Sequence, residues 1–307
     1  MDKIKFLVFA DIHHYPKVFC TDAPERFAAI RARAEREKVD FMVSLGDYCH
    51  SPTTFTDFVE ESFKSSIPMY HVMGNHDTDG ATLEETLKLY RMPAPYYWFE
   101  RGPFRFIALD TDYYDSSVGC VHYQYRNYFD FPHTRETLPP EELEFLEQAI
   151  MGSDKLCVLL SHASLDRVGE AAIGNRDALW AIINRANSDR RRVLMSLNGH
   201  HHRDGLTIID NVACFDVNSA SFDWCSHGHD FFPEELRKQY DLVDHQIIFT
   251  EPLSAIVTLS TDGTIEIDGM KGDFLYGVTR EMTDNDRTDG AGRPCTPNIL
   301  STKIRLF

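Results

Sequence analysis

The sequence lacks paired cysteines, internal repeats, low-complexity blocks and long apolar runs. Its seven cysteines include no CxxC pair, and an odd number scattered over 307 residues does not describe a disulfide framework. The first apolar run, residues 6–10, is too short for a signal sequence or a membrane span. We therefore expect reduced thiols, no membrane segment and a cytoplasmic location.

Positive charge is also scarce. The chain has 31 Lys and Arg residues against 48 Asp and Glu residues, which gives a formal net charge of −17. This excess opposes binding to a long nucleic acid, whose affinity for proteins depends on cationic side chains that displace counterions. An anionic substrate would need a strong local positive charge, and bound divalent cations can supply it.

The N-terminal part has the pattern strand, helix, strand, and each strand ends in acidic or imidazole groups. An apolar run at residues 3–10 precedes Asp11 and His13, and a second run at residues 41–45 precedes Asp47. The intervening segment, about residues 23–37, is rich in good helix formers. A βαβ unit places its ligands at the carboxyl edge of the sheet.

Three later strands end in the same way. The run at residues 69–73 leads into Gly74-Asn75-His76-Asp77, and the runs at 156–160 and 193–197 precede His162 and Gly199-His200-His201-His202. On extended backbone, His200 and His202 would point the same way. Turn caps and surface-loop histidines are the alternative, but such ends on each of the first three strands are hard to credit to turns. The pattern favours a metal centre.

The remaining chain predicts further strands and two irregular inserts. Runs at 206–209, 212–216, 255–259 and 264–267, joined by hairpin turns, predict a second and largely antiparallel sheet. The first insert, about 111–137, is rich in tyrosine and either packs on itself or forms a substrate-facing rim. The second, about 221–250, contains Trp224, His227 and His229, and we expect its histidines to be hydrogen-bonded within it.

In order, these groups form the motifs D-x-H, G-D, G-N-H-D, H and G-H-x-H. The set resembles the calcineurin-like metallophosphoesterase superfamily over roughly residues 4–267. The resemblance implies an α/β fold, a four-layer α/β/β/α sandwich with two mixed sheets and a dinuclear metal site at the C-terminal edges of strands. We expect this domain to span residues 1–270, with residues 271–307 as a C-terminal extension.

The resemblance also implies a ligand set for two divalent transition-metal ions. One ion would take Asp11, His13, Asp47 and His202, and the other Asp47, Asn75, His162 and His200. Nitrogen and oxygen ligands without thiolate suit Mn, Fe, Zn, Co or Ni, and a shared carboxylate holds two ions close together. Such a pair lowers the pKa of bound water and gives a hydroxide nucleophile. His76, which holds no metal, is expected to act as general acid or charge stabiliser beside the bridging Asp47.

Departures from subfamilies narrow the expected substrate. Asp47 is followed by Tyr48-Cys49-His50-Ser51, so the acid and the arginine that Ser/Thr protein phosphatases use are missing at those positions. The pattern looks like the bacterial branch with cyclic-nucleotide phosphodiesterases and small phosphatases. We predict hydrolysis of a small phosphodiester or phosphomonoester, with a nuclease or a catalytically silent scaffold as alternatives. The oligomeric state stays open. His14, His50 and His71 adjoin the motifs and either support the metal ligands or are simply loop residues, and we favour the second interpretation.

Overall fold

The computed structural model describes residues 2–16, 21–169, 172–225, 228–283 and 293–307. The strands in these ranges are β1 (Lys3–Phe9), β2 (Phe41–Ser44), β3 (Met69–His71), β4 (Tyr97–Arg101), β5 (Phe104–Ala108), β6 (Tyr113–Ser116), β7 (Gly119–His122), β8 (Arg135–Thr137), β9 (Leu156–Leu160), β10 (Val193–Asn198), β11 (Gly205–Ile209), β12 (Val212–Asp216), β13 (Phe222–Trp224), β14 (Gln246–Ile248), β15 (Ala255–Ser260), β16 (Thr264–Asp268) and β17 (Thr302–Arg305). The α-helices are α1 (Ala23–Glu37), α2 (Thr56–Glu61), α3 (Leu83–Leu89), α4 (Pro140–Met151), α5 (Arg176–Ala186) and α6 (Glu234–Gln239).

Two six-stranded mixed sheets form the body of the protein. The first has the order β17-β16-β15-β1-β2-β3, and the second β11-β12-β10-β9-β5-β4. Strands β1, β2 and β3 are mutually parallel, as are β12, β10, β9 and β5. Each parallel set therefore directs its carboxyl ends to one edge, where loops gather functional side chains.

The two sheets pack face to face through interlocking aromatic rings. Phe6 and Phe41 on the first sheet are stacked at 5.0 Å. Phe106 on the second sheet meets Phe6 edge-on at 5.3 Å and Phe41 at 4.9 Å. All three are fully buried, so they form the centre of the core between the sheets.

Helices cover the outer faces of both sheets. On α1, Phe27 packs against Phe9 of β1 at 6.0 Å. Helix α1 begins at Ala23, as predicted. The Asp22 side chain caps it by accepting a hydrogen bond from the backbone N–H of Glu25. Leu146 of α4 and Ile183 of α5 lie in one buried cluster with β9 of the second sheet. The predicted four-layer α/β/β/α sandwich is thus confirmed. No helix in the described ranges combines the length and apolar character needed to cross a membrane.

One prediction about the sheets is wrong. The strands expected to form a single second sheet are divided, because β11 and β12 join the second sheet while β15 and β16 join the first. The hairpins themselves form as predicted, with β11 paired to β12 and β15 paired to β16. Turn residues specify a hairpin locally but carry no information about which sheet it enters. The boundary at residue 270 stays a prediction; β17, from the predicted extension, pairs with β16.

Candidate metal centre

The predicted ligands converge where the carboxyl edges of the two sheets meet. The loops after β1, β2 and β3 come from the first sheet, and those after β9 and β10 come from the second. These loops carry, in order, Asp11 and His13, Asp47, Asn75 and His76, His162, and His200 and His202. The side chains of Asp11, His13, His162 and His202 are 0–1% exposed. Buried groups of this kind need partners, which they find in one another or in a bound ion.

Five of these residues have left-handed backbone. The φ angles are 54° for Asp11, 52° for His13, 52° for Asp47, 68° for His200 and 51° for His202. Residues other than glycine rarely adopt such angles, and strained backbone of this kind clusters at functional sites. The prediction of extended backbone at His200 and His202 is therefore wrong. The chain turns sharply between them, which sends the two imidazoles to different groups.

Two glycines of the motifs are required by close approach. Gly46 has φ 95°, and a Cβ there would collide with the imidazole of His162. A Cβ on Gly199 would lie 2.6 Å from Oδ2 of Asp11. Both positions let backbone from one sheet touch a ligand-bearing residue of the other.

One group of side chains consists of Asp11, His13 and His202. Nε2 of His13 lies 3.0 Å from Nε2 of His202, and Oδ1 of Asp11 lies 3.5 Å from Nε2 of His202. That Oδ1 has no hydrogen-bond partner among the described residues, although it is fully buried. A buried carboxylate oxygen and two imidazole nitrogens aimed at one point fit a cation better than they fit each other. These three residues could hold a metal ion.

The other group consists of Asp47, Asn75, His162 and His200. Nε2 of His162 lies 3.3 Å from Oδ2 of Asp47 and 3.1 Å from Oδ1 of Asn75. Nδ1 of His200 lies 3.0 Å from the same Asn75 oxygen. Oδ2 of Asp47 is also 3.8 Å from Nε2 of His13, so this carboxylate lies between the two groups. Burial would raise the pKa of Asp47, but the charges of His162 and His76 hold it well below its usual value.

His76 faces this centre and is held by an acid that the sequence motifs do not contain. Its Nδ1 lies 2.7 Å from Oδ2 of Asp79, whose other oxygen accepts a hydrogen bond from the Tyr128 hydroxyl at 3.0 Å. Burial would raise the pKa of Asp79, but hydrogen bonds from His50 and His76 lower it to about 2. Burial likewise lowers the pKa of His76, and the charges of Asp47 and Asp79 outweigh it and raise that pKa. The acid that is missing in the residues after Asp47 is thus supplied by Asp79, three residues after His76.

His50 lies directly behind His13. Its Nε2 is 2.8 Å from Nδ1 of His13, and its ring stacks on His76 at 4.3 Å. A partner on the second nitrogen fixes how a ligating imidazole is turned. The interpretation of His50 as a plain loop residue is therefore wrong, and so is that of His71, which lies at the end of β3 and is 1% exposed.

Asp77, the last residue of the G-N-H-D motif, fixes the loop that carries Asp47. Its carboxylate accepts hydrogen bonds from the backbone N–H groups of Asp47, Tyr48 and Cys49 at 2.9–3.0 Å. It also accepts a hydrogen bond from the hydroxyl of Tyr90 at 2.7 Å. Oriented backbone donors around a buried carboxylate make the loop rigid. Asp77 thus positions Asp47 without facing the metal groups itself.

Glu136 reaches the same centre from the tyrosine-rich insert. Its Oε1 lies 2.8 Å from Nε2 of His200, while Nδ1 of that ring faces Asn75. Burial would raise the pKa of Glu136, but the neighbouring His200 lowers it. Sequence reasoning missed this residue, because nothing in a segment without periodicity signals a contact to a loop far along the chain.

The second insert is tied together by its own hydrogen bonds. Nε2 of His229 lies 2.8 Å from the carbonyl oxygen of Gln246 in β14, as expected for that histidine. The corresponding prediction for His227 lies outside the described residues. Among the described residues, Cys49, Cys120, Cys157, Cys214 and Cys295 are free, and the reduced state of the thiols stays a prediction.

Comparison with known families decides the relationship. The model for the calcineurin-like phosphoesterase family matches residues 4–204, which contain every predicted ligand. The chain belongs to the calcineurin-like phosphoesterases. It is accordingly a hydrolase of phosphoric ester bonds, in a family that uses two divalent metal ions. The clusters Asp11-His13-His202 and Asp11-Asp47-His162 could hold such a pair.

Solved structures show the same fold in distant proteins. A dimetal phosphatase from Danio rerio has 15% sequence identity and a TM-score of 0.59, covering 89% of this chain and 98% of its own. GAP50, the anchor in the inner membrane complex of Plasmodium, has 16% identity and a TM-score of 0.57, covering 90% of this chain and 88% of its own. No curated protein sequence matches the chain.

Proposed function

We propose that this protein hydrolyses a small phosphodiester or phosphomonoester at a dinuclear metal centre. The observation that supports the proposal most strongly is the completeness of the ligand set. The predicted carboxylates, amide and imidazoles lie together at the meeting edges of the two sheets, with the Asp47 carboxylate between two groups.

The two groups suggest how the ligands are divided. One ion would be held by Asp11, His13, Asp47 and His202, and the other by Asp47, Asn75, His162 and His200. Oxygen and nitrogen donors without thiolate suit Mn, Fe, Zn, Co or Ni. When bound, such a pair supplies Lewis acidity at phosphoryl oxygens and a lowered pKa for water.

The chain's own contribution to the reaction centres on His76. Its backbone N–H donates to Oδ1 of Asp47 at 2.8 Å, and its Nδ1 is bonded to Asp79, so the ring is fixed in orientation. Nε2 is then the nitrogen that can meet a substrate. An imidazole held in this way can donate a proton to a departing alkoxide or stabilise negative charge on the phosphoryl group.

Two other functions use the same fold. A catalytically silent scaffold is one, and the Plasmodium anchor shows that this fold occurs in a protein named for anchoring. The complete set of acidic and imidazole groups favours an enzyme over a scaffold. A nuclease is the other, and the net charge of −17 opposes it. A cytoplasmic location also stays a proposal.

The test is turnover by metal-reconstituted protein of bis(p-nitrophenyl) phosphate and of p-nitrophenyl phosphate, with chelator-treated protein as control. We expect metal-dependent hydrolysis of at least one ester and two ions per chain. Two tightly bound ions without turnover of any small ester would instead support the scaffold. Faster cleavage of a long single-stranded oligonucleotide than of either small ester would support the nuclease.

A further inference from the structure

A cavity of about 500 Å³ opens beside His76, and its lining includes none of Asn75, His162 and His200. Its lining includes the rings of Tyr15, Phe129 and Trp224. The volume lies within the range of pockets that hold small organic ligands, roughly 300–1,000 Å³. Aromatic walls of this kind suit a flat apolar group rather than a flexible chain.

One side of the cavity is a row of stacked rings. Tyr15 is parallel to His50 within 3°, with centroids 5.5 Å apart, and His50 stacks on His76 at 4.3 Å. A planar group bound here would lie against rings that are already ordered. Preorganised rings bind at a lower entropic cost than rings that must be fixed on binding.

Trp224 connects the cavity to the metal groups. Its indole lies 6.2 Å from the ring of His13 and 6.1 Å from that of His202. Trp224 is also the last residue of β13 and pairs with Gln246 of β14, so its backbone is held in a sheet. A group stacked on Trp224 would therefore lie beside the rings of His13 and His202, which would hold one of the ions.

The charges around the cavity oppose a second anionic group. Among the described residues, Asp79 and Asp241 line it together with Arg126, whose Nε is 3.8 Å from Oδ2 of Asp79. A smaller cavity of about 180 Å³ also borders His76 and Phe129, and it is lined by Arg135. The carboxylate that lines this smaller cavity, that of Glu136, is already paired with His200. The phosphoryl oxygens thus have a cationic side, whereas the larger cavity favours an uncharged occupant.

We propose that the larger cavity binds the leaving alcohol of the substrate and that this alcohol carries a planar, uncharged ring system, as a nucleoside does. The proposal rests on the function proposed above, because His76 can protonate only an oxygen whose substituent lies on its own side. The substrate class is therefore a nucleoside phosphoester, cleaved between phosphorus and the nucleoside oxygen.

The experiment compares two methyl phosphodiesters, one of a nucleoside through its 5′ oxygen and one of tetrahydrofurfuryl alcohol. Both leaving groups are primary alcohols on a five-membered ether ring, and only the first carries a base. Stacking of one base on aromatic side chains corresponds to a preference of roughly tenfold or more in kcat/KM. Trp224→Leu and Phe129→Leu should each reduce that preference, mainly through KM for the nucleoside ester.

Trp98→Leu is the matched control. Trp98 lines a separate cavity of about 420 Å³ that includes none of the predicted metal ligands, and it is 46% exposed. This variant should keep the preference for the nucleoside ester. Equal kcat/KM for the two esters in wild-type protein, or a preference that survives both cavity variants, would overturn the proposal.

Equilibrium dialysis of adenosine against the metal-loaded protein separates this proposal from the proposed function. If wild-type protein binds adenosine, Trp224→Leu binds it more weakly, and no phosphoester is hydrolysed, the cavity does bind the ring system but the proposed hydrolytic function is overturned. If both esters are hydrolysed at equal rates and adenosine does not bind, the hydrolytic function is supported and the proposal about the cavity is overturned.

Discussion

The ligand loops at the strand ends and the tyrosine-rich insert reach the same centre by different means. The loops place side chains through backbone geometry, with five non-glycine residues in the left-handed region. The insert contains β6, β7 and β8, which form a small sheet apart from the two large ones, and it reaches the centre through Glu136, which contacts His200, and Tyr128, which contacts Asp79. Left-handed backbone occurs in the insert as well, at Tyr125, Arg126 and Glu136. The candidate ligands thus lie at the edges of the two large sheets, whereas the insert adds contacts to them from a separate small sheet.

The insert has a small core of its own. Tyr114, Tyr123 and Tyr128 form a buried cluster, and the Tyr123 hydroxyl accepts a hydrogen bond from the backbone N–H of Glu136 at 2.9 Å. The two interpretations of this segment were self-packing and a substrate-facing rim. The self-packing is confirmed, and it also fixes the position of Glu136. The role in substrate choice stays a prediction.

The largest effect is expected at the carboxylate between the two groups. Asp47→Asn keeps the side-chain shape and the oxygen that accepts from the His76 backbone, but it removes the charge that would serve both ions. We expect loss of turnover and loss of metal-dependent stabilisation, which is about 3–4 kcal/mol for an ion at 100 to 1,000 times its Kd. Metal content, activity and thermal unfolding with and without metal measure this.

Asp177→Asn, in which the exchanged carboxylate is 99% exposed on α5, is the control and should behave as wild type. Two ions per chain and normal turnover in Asp47→Asn would contradict the bridging role.

His76→Asn should keep both ions but slow turnover, because this imidazole holds no ion in the proposed division. If it protonates the departing alkoxide, its loss should cost on the order of 10²–10⁴ in rate for an alkyl ester and much less for an activated aryl ester. A series of leaving groups measures this. Equal losses across the series would show that His76 stabilises phosphoryl charge, and loss of an ion would show that it is a ligand.

Glu136→Gln tests whether the insert affects the metal centre. The neutral amide can still accept a hydrogen bond from His200, but it no longer stabilises positive charge on that ring. Loss of such a partner lowers metal affinity by roughly 10–100-fold. Competition titration with a chromogenic chelator measures the affinity for each ion, and we expect the weaker binding at one ion alone.

Glu144→Gln, on the exposed face of α4, is the matched control for that titration. Affinities in Glu136→Gln equal to those in the control would limit the insert to shaping the cavity.

A histidine outside both regions gives the smallest effect. Burial lowers the pKa of His71 from 6.5 to about 3. Above pH 6.5 the residue is neutral in both the folded and the unfolded chain. As the pH falls below 6.5 only the unfolded chain takes up the proton, so the free energy of unfolding falls by up to about 1.4 kcal/mol per pH unit.

His71→Asn should therefore reduce the loss of stability between pH 6.5 and pH 4.5, as measured by urea unfolding of metal-free protein. His133→Asn, at an exposed position, should leave the slope unchanged. The same slope in all three proteins would show that His71 is protonated in the folded state.

The meeting of the polar strand ends at one place could be predicted from sequence because it follows one local rule, whereas the division of these residues between two ions came from the family resemblance and stays a prediction. Apolar strands of a parallel set end at a common edge, so polar groups directly after them, such as Asp11 and Asp47, must meet. The left-handed backbone at His200 was missed, because the rule locates a loop and not its dihedral angles. Asp79 did have a local signal, since it follows His76 by three residues and both lie in one loop.

Contacts from the inserts could not be predicted. Glu136 and Trp224 lie in segments whose path depends on packing of aromatic clusters, which leaves no periodicity in the sequence. The assignment of hairpins to sheets failed for a similar reason. The pairing of β15 with β1 joins parts of the chain that are far apart in sequence.

Anomalous diffraction from crystals of metal-loaded protein tests the central claim most directly. We expect two peaks on either side of the Asp47 carboxylate, about 3.5–4 Å apart as in other two-metal sites. One peak should lie beside His13 and His202, and the other beside His162 and His200. His50, His76 and Asp79 could also hold an ion. A peak among those three residues, or a single ion that leaves Asp47 bound on one side only, would contradict the account.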